Sequence, residues 1–233
     1  PATLAQEVAE LLSPRAHAAG LDLAVRTAPD VPEILAGDAG KIRQILFNLV
    51  GNALKFVETG AVLVDIDFAD RHLVYRIHDT GPGISDAQQA RLFDAFQQNQ
   101  ASDAYKEGGV GLGLAIVQRL TEALGGEVDL TSAPGLGTTF TINLPVEAGN
   151  QPADARAAND PLSGEIALIG LPPASALTAA AALSAAGASP RRIDPPIAAG
   201  VRGADLILAS ADLPIQTLKA VCKHAPVLIV LRP

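Results

Sequence analysis

The stretch NLVGNALKF (48–56), followed by DTGPGI (79–84) and GGVGLGLAI (108–116), carries most of the information in this 233-residue chain. Each block centres on asparagine or glycine, and glycine is the residue that tolerates positive φ in tight turns. A single block of this kind is typical of an ordinary turn. Three blocks in this order predict a site for a nucleoside triphosphate.

The first block lies in a predicted amphipathic helix, because apolar residues recur at helical spacing between Lys41 and Phe56. Asn48, Asn52 and Lys55 are three or four residues apart and so share one side of that helix. An amide oxygen is a hard ligand that suits Mg²⁺, and an ammonium one turn away suits a phosphate oxygen. We expect Asn52 to bind Mg²⁺ and Lys55 to contact phosphate. For any one of them alone, a solvated helix face is the alternative.

The second block follows the alternating run LVYRIHD (73–79), which predicts a strand ending at Asp79. A carboxylate only accepts hydrogen bonds, so it can bind the amino group of adenine and would face a lone pair in guanine. Gly81 and Gly83 let the backbone pass close to a base, and Pro82 stiffens the turn between them. Asp79 is therefore predicted to favour ATP over GTP, with a simple turn as the alternative.

The third block opens an apolar run from Leu114 to Leu124, which predicts a helix. Glycines at the start of a helix expose N–H groups that, with the helix dipole, bind phosphate. These glycines are Gly108, Gly109, Gly111 and Gly113. The preceding residues 97–107 are polar and lack periodicity, which favours a lid over the nucleotide.

Together these blocks resemble the N, G1 and G2 boxes of the catalytic, ATP-binding domain of bacterial sensor histidine kinases. That superfamily includes DNA gyrase and heat-shock chaperone ATPases. RLFDAFQQ (91–98) resembles its F box through Phe93 and Phe96, and PGLGTTFTINLP (134–145) resembles its last glycine block and strand. The resemblance covers residues 1–147 and implies a two-layer α/β sandwich, helices on a mixed sheet, that binds ATP and Mg²⁺.

The resemblance also implies roles for individual residues. Asn52 carries Mg²⁺, Asp79 binds adenine, Gly81 and Gly83 line the base pocket, and Gly111 and Gly113 bind the phosphates. Further implied nucleotide contacts are Tyr105, Gly109, Leu112 and Thr139. Lys106 is the expected partner of the γ-phosphate, and Val110 stands where the family often has threonine.

Asn48 stands where gyrase-type relatives carry a glutamate that acts as general base on the attacking water. An amide cannot take up a proton, so hydrolysis should be slow. Phosphoryl transfer relies on positioning and charge stabilisation and loses less by this change. The resemblance therefore implies a kinase in which Asn48, Lys55 and Lys106 act at the transferred phosphate.

Composition limits the class of protein. A hydrophobic share of 48% with 18% charged residues predicts a folded chain, and from the sequence we expect neither a signal peptide nor a membrane-spanning segment. The single cysteine, Cys222, is expected to be buried, which fits a reducing cytoplasm.

Residues 1–150 carry 10 Lys and Arg against 19 Asp and Glu, so a nucleic-acid partner is disfavoured. Since the chain opens at Pro1 within a predicted helix, we expect a fragment.

The second half begins after a predicted linker, residues 148–164, which is rich in Ala, Gly, Pro and Asn. From 165 to 233, apolar runs typical of strands alternate with helical patterns. This alternation predicts a doubly wound parallel sheet.

DLILASADLP (205–214) resembles a response-regulator receiver domain that has lost its chemistry. Gly170 and Leu171 stand in place of the acidic pair, and Ser210 stands in place of the phosphate-accepting aspartate. Without carboxylates at these places there is no metal site and no nucleophile, although Asp212 lies two residues beyond Ser210. We expect an incomplete pseudo-receiver that regulates by docking or by binding an anionic second messenger such as a cyclic dinucleotide; a structural relic without a regulatory role is the alternative. Its candidate residues are Arg191, Arg192 and Arg202.

The phosphoacceptor histidine of such a kinase lies on a dimerisation hairpin and is followed by Glu or Asp. Only His78 has an acidic neighbour at that place, and it lies in the predicted strand. The sequence thus predicts the cytoplasmic ATP-binding part of a hybrid histidine kinase, a homodimer at full length. Its partners would be the hairpin and a downstream receiver. The alternative is a non-catalytic nucleotide-sensing module.

Overall fold

The structure is a computed structural model that describes residues 1–89, 92, 113–148, 163–194, 197–210 and 212–230, with the backbone alone at 147, 148, 198, 199, 215, 229 and 230. The chain divides into two compact units, Pro1–Pro152 and Ala153–Pro233. Several predictions fall outside the described residues. They concern Phe93, Phe96, the lid, Tyr105, Lys106, Gly108, Gly109, Val110, Gly111, Leu112 and most of the linker.

The first unit is built on a five-stranded mixed sheet with strand order β1-β3-β4-β6-β5. Its elements are α1 (Ala2–Ala18), β1 (Asp22–Thr27), β2 (Leu35–Ala36), α2 (Ala39–Phe56), β3 (Ala61–Ala69), β4 (His72–Asp79), α3 (Asp86–Gln89), α4 (Gly113–Ala123), β5 (Glu127–Ser132), β6 (Thr138–Pro145) and β7 (Glu147–Ala148). Strands β1 and β3 are parallel, the other neighbours are antiparallel, and β2 pairs separately with β7. The expected mixed sheet is confirmed.

The core of this unit lies between one face of the sheet and the apolar faces of the helices. Helix α2 begins at the Asp38 side chain, which accepts the N–H of Lys41 at 3.0 Å. Alternate sheet residues are buried, among them Ile66, Tyr75 and Ile142. Because neighbouring residues of a strand point to opposite faces, polar side chains collect on the other face.

The buried Asp65 lies on that polar face of β3 and is 5% exposed. Arg26 on the neighbouring strand donates to both of its carboxylate oxygens, through Nε and Nη2. A carboxylate taken out of water needs such a partner, because an unpaired buried charge is costly. The pair therefore satisfies the one acidic side chain that the polar face buries among the described residues.

The second unit is a four-stranded parallel sheet with strand order β11-β10-β8-β9. Its elements are β8 (Glu165–Ile169), α5 (Pro173–Ala185), β9 (Ser189–Ile193), α6 (Ile197–Gly200), β10 (Leu206–Ser210), α7 (Ile215–Val221) and β11 (Val227–Val230). Ile166 and Leu168 pack in one apolar cluster with Ala176, while Ala167 and Ile169 pack in another with Val221. The strand pairings confirm the predicted parallel sheet, and helices cover both of its faces. The strand order matches the first four strands of flavodoxin-like sheets.

Cys222 is exposed, so the prediction of a buried thiol is wrong. Helix α7 ends at Val221, and Cys222 caps it. Val221 is fully buried, and its successor in a helix lies about 100° further round the axis, away from the core. Among the described helices, none combines the length and apolar character that crossing a membrane requires.

Candidate nucleotide-binding site

Helix α2 presents the polar residues of the first block along one side. Asn48, Asn52 and Lys55 are partly exposed, whereas the intervening Leu49 and Ala53 are buried against the sheet. The Asn48 Nδ2 donates to the main-chain oxygen of Gln44 at 2.9 Å. This bond fixes the amide with its nitrogen toward the helix backbone. The Lys55 Nζ lies 5.4 Å from the centroid of the Phe56 ring, a cation–π distance.

Helix α4 begins at Gly113, next to the two asparagines of α2. A Cβ placed on Gly113 would lie 3.6 Å from Asn48 Oδ1 and 3.6 Å from Asn52 Nδ2. The structure thus brings together Gly113 and both asparagines, residues more than 60 positions apart in the sequence. Both amide groups therefore lie near the start of α4, where free main-chain N–H groups favour an anion.

Asp79 ends β4 and lies beside Thr138 on β6 in the strand register. Its carboxylate accepts the N–H of Gly81 at 2.8 Å and the N–H of Thr138. Burial raises the pKa of Asp79, while these two hydrogen bonds act in the opposite direction. The carboxylate therefore has a fixed orientation and lone pairs left for a further donor.

The loop after Asp79 packs closely on the turn between β5 and β6. Gly83 has a φ of +73°, and a Cβ there would lie 2.0 Å from the oxygen of Ala133. The N–H of Gly135 donates to the oxygen of Pro82 at 2.7 Å. No residue with a side chain fits at position 83, which agrees with the predicted need for glycine in this block.

Thr139 requires a correction, because the structure places it on the sheet face opposite Asp79. Its Oγ1 lies 2.8 Å from Nδ1 of His78, a hydrogen bond on the polar face. Thr138, 6% exposed, is the threonine on the Asp79 side. The alternation of Phe140, Ile142 and Leu144 on the core face was the sequence signal that could have identified Thr138.

The comparisons with known proteins identify this first unit. Residues 37–148 match the family described as "Histidine kinase-, DNA gyrase B-, and HSP90-like ATPase". The signal transduction histidine-protein kinase BarA of Escherichia coli strain K12 is 41% identical over 143 residues, which is 59% of this chain and 16% of that protein. This part of the chain is the catalytic ATP-binding domain of a histidine kinase.

Two further relatives extend the comparison beyond the ATP-binding domain. The sensor protein GacS of Pseudomonas syringae pv. syringae is 39% identical over 166 residues, 69% of this chain and 18% of that protein. The crystal structure of full-length ShkA in complex with AMPPNP matches 97% of this chain and 47% of that chain, with 35% identity and a TM-score of 0.80. The chain thus spans less than a fifth of BarA and of GacS, and about half of the ShkA chain.

In the second unit, Gly170 and Leu171 follow β8 and Ser210 ends β10 with 1% exposure. The Ser210 hydroxyl lies 3.3 Å from Asp212 Oδ2 and accepts the N–H of Asp212 at 3.3 Å. A cavity of about 340 Å³ lies at the carboxyl ends of β8 and β9. Most of its lining residues are apolar in type, and Arg192 and Asp194 are its charged members.

The three predicted regulatory arginines have different surroundings. Arg191 Nη2 lies 3.3 Å from Glu165 Oε2 and donates to the oxygen of Arg202 at 3.4 Å. Arg192 Nε lies 3.4 Å from Asp194 Oδ1. Arg202 is exposed. Arg191 and Arg202 are therefore neighbours, while Arg192 lines the cavity.

Proposed function

We propose that this chain is the ATP-binding catalytic part of a hybrid histidine kinase that transfers the γ-phosphate of ATP to a histidine on a dimerisation hairpin of the same kinase. The observation that carries the proposal is Asn48, whose amide nitrogen is bound to the Gln44 oxygen. A residue in this position that cannot take up a proton favours phosphoryl transfer over hydrolysis. The match to full-length ShkA, a structure with AMPPNP, supports the same function.

The nucleotide would lie between α2 and the start of α4. The Asp79 carboxylate would accept a hydrogen bond from the amino group of adenine, and Gly81 and Gly83 would let the base approach the backbone. Asn52 offers an amide oxygen to Mg²⁺, which takes few protein ligands beside phosphate oxygens and water. When bound, Mg²⁺ neutralises charge on the phosphates. Gly109, Gly111 and Leu112 are proposed for the phosphates, with Gly113 at the helix start.

The transfer itself would depend on positioning. Lys55 and Lys106 bind phosphate oxygens, Lys106 at the γ-phosphate, and Tyr105 lies beside it in the sequence. Asn48 would orient the phosphate or a water molecule without removing a proton. The acceptor nitrogen of the hairpin histidine would then attack the γ-phosphorus and displace ADP. The site favours this step by holding the attacking nitrogen in line with the γ-phosphorus and the leaving oxygen of ADP.

The test supplies a separate dimerisation hairpin from a related kinase and measures phosphohistidine formed from labelled ATP. Transfer should require Mg²⁺ and should fall about ten- to a hundredfold in Asn52→Ala. The matched control is Gln44→Ala on the same helix, whose side chain is exposed. Without a hairpin the chain should gain no acid-labile phosphate. Label on His17 or His78 of the chain alone would contradict the proposal.

The competing function is a nucleotide-sensing module without catalysis. It requires the same pocket but no transfer, so ATP binding with no phosphohistidine on any supplied hairpin would favour it. Lys106→Ala separates the two functions further. In a kinase it should slow transfer more than it weakens ADP binding, because ADP lacks the γ-phosphate.

For the second unit we propose a pseudo-receiver that regulates the kinase without being phosphorylated. Gly170 and Leu171 stand where a receiver has its metal-binding acidic pair, and Ser210 stands where it has its acyl-phosphate nucleophile. Retention of a closely packed parallel sheet supports a binding role instead. Arg191 and Arg202, or Arg192 at the cavity, would meet an anionic ligand.

The regulatory proposal is tested in the full-length kinase. Deleting residues 151–233, or changing Arg191, Arg192 and Arg202 to alanine, should alter the autophosphorylation rate. Cyclic dinucleotides are the probe for an anionic ligand and should change the rate only when the arginines are present. A rate that responds neither to the deletion nor to the probe would leave this unit without a regulatory function.

A further inference from the structure

Two side chains outside the sequence blocks, Ser132 and Gln89, join two parts of the nucleotide site. One part is the Asp79 loop, residues 79–84, and the other is the glycine turn, residues 133–137. The Ser132 Oγ accepts the N–H of Ile84 at 2.9 Å. The same hydroxyl donates to the oxygen of Gly137 at 2.9 Å. One side chain thus holds the end of the Asp79 loop to the end of the glycine turn.

Gln89, the last residue of α3, completes this connection. Its Nε2 donates to the oxygen of Ile84 at 2.7 Å and to the oxygen of Ser132 at 3.0 Å. Both main-chain polar groups of Ile84 are therefore bound by side chains. These four hydrogen bonds link α3, the Asp79 loop, β5 and the glycine turn.

The orientation of Asp79 depends on the separation that these bonds set. The carboxylate accepts one N–H from its own loop, at Gly81, and one from Thr138 just beyond the glycine turn. The bond from Thr138 persists only while loop and turn keep their spacing, whereas the bond from Gly81 lies within the loop itself. The loop cannot move closer to the turn at Gly83, because the α-carbon of Gly83 already lies against the oxygen of Ala133.

We propose that Ser132 and Gln89 are positioning residues of the nucleotide site, which fix the Asp79 carboxylate for the adenine amino group and so set the preference for adenine over guanine nucleotides. The inference rests on the proposed role of Asp79. Neither side chain needs to touch the nucleotide. Loss of either one lets the Asp79 loop separate from the glycine turn, which widens the range of carboxylate orientations.

The test measures the affinity of the 233-residue chain for ADP and for GDP by calorimetry. Ser132→Ala and Gln89→Ala should each lower ADP affinity about tenfold, as for one lost charge-assisted hydrogen bond, and leave GDP affinity within about twofold. GDP is spared because guanine offers Asp79 no donor at the matching position. The controls are Thr131→Ala, exposed on the same strand, and Gln88→Ala, whose Oε1 accepts hydrogen bonds from Ser85 N–H and Oγ.

Conservative variants separate positioning from general stability. Ser132→Thr retains the hydroxyl and should restore the selectivity for ADP, whereas Gln89→Glu, which loses both N–H donors, should not. Amide hydrogen exchange at Ile84 should become faster in Ser132→Ala than in Thr131→Ala, because that N–H loses its acceptor.

The outcomes distinguish this inference from the function on which it rests. If the parent chain prefers ADP and loses that preference in Asp79→Ala, the role of Asp79 stands. Unchanged selectivity in both Ser132→Ala and Gln89→Ala then overturns the positioning role alone. If the parent chain binds ADP and GDP equally, the role of Asp79 and the positioning role fail together.

Discussion

The α-carbon of Gly137 lies against the main-chain oxygen of Asp79, so closely that a Cβ on Gly137 would be 2.0 Å from that oxygen. No real Cβ tolerates this distance, so any other residue at position 137 must push the two segments apart. Gly137 also has a φ of +79°, which L-residues rarely adopt. The glycine turn therefore fits against Asp79 only while position 137 has no side chain.

Gly137→Ala should consequently weaken ADP binding by about tenfold or more, because the displaced turn carries the N–H of Thr138 away from the Asp79 carboxylate. Gly135→Ala is the matched control. Gly135 has a φ of +78° and nothing within 4 Å of a built Cβ, so it shares the backbone strain without the contact. Equal losses of ADP affinity in the two variants would show that the Asp79 contact is unimportant.

The folding free energy should depend on pH through Asp79. Burial raises the pKa of the Asp79 carboxyl above 3.8. Between the pKa of the unfolded state and that of the folded state, the folded chain therefore holds a proton that the unfolded chain has released. The stabilising effect of this proton is present below the unfolded pKa and is lost as pH rises through the folded pKa. Asp79→Asn removes the titration. Its unfolding free energy relative to the parent should therefore increase from pH 3 to pH 7 in urea unfolding experiments, and a decrease would contradict the raised pKa.

Tyr75→Phe should stabilise the first unit by about 1 kcal/mol. Tyr75 is 1% exposed, and its hydroxyl has no hydrogen-bond partner among the described groups. The variant removes a buried polar group while keeping the ring in the core. Tyr75→Leu is the control, since it also removes the hydroxyl but leaves a cavity and should destabilise by about 2–4 kcal/mol. A Tyr75→Phe chain less stable than the parent in urea would indicate that the hydroxyl is bonded.

Gly170→Ala should destabilise the second unit, and Leu213→Ala should partly reverse the effect. A Cβ on Gly170 would lie 2.6 Å from Cγ and Cδ2 of Leu213, which covers the end of β8. Removing the leucine side chain relieves the overlap, so the two changes should couple by about 1 kcal/mol or more in a double-mutant cycle. The measurement is thermal unfolding followed by circular dichroism. Additive effects would mean that the strain comes from the φ of +66° alone.

Much of the fold could be predicted from the sequence because it depends on local patterns. Helix α2 and strand β4 begin and end within two residues of the predicted runs, since apolar periodicity reflects which face each element buries. The same applies to the alternating strands and helices of the second unit. Asn48, Asn52, Asp79 and Gly113 were selected by block spacing, which is itself a short-range property.

How those segments meet depends on contacts between residues that are far apart in the chain. Ser132 lies 43 residues from Gln89 and 48 from Ile84, and their bonds exist only because β5 pairs with β6 in one register. Register also places Thr138, and not Thr139, beside Asp79. The elements and the chemical groups of the site could be predicted without a structure, because they follow from neighbouring residues. Strand pairing determined which groups face one another, since moving a register by one residue turns every side chain to the opposite face.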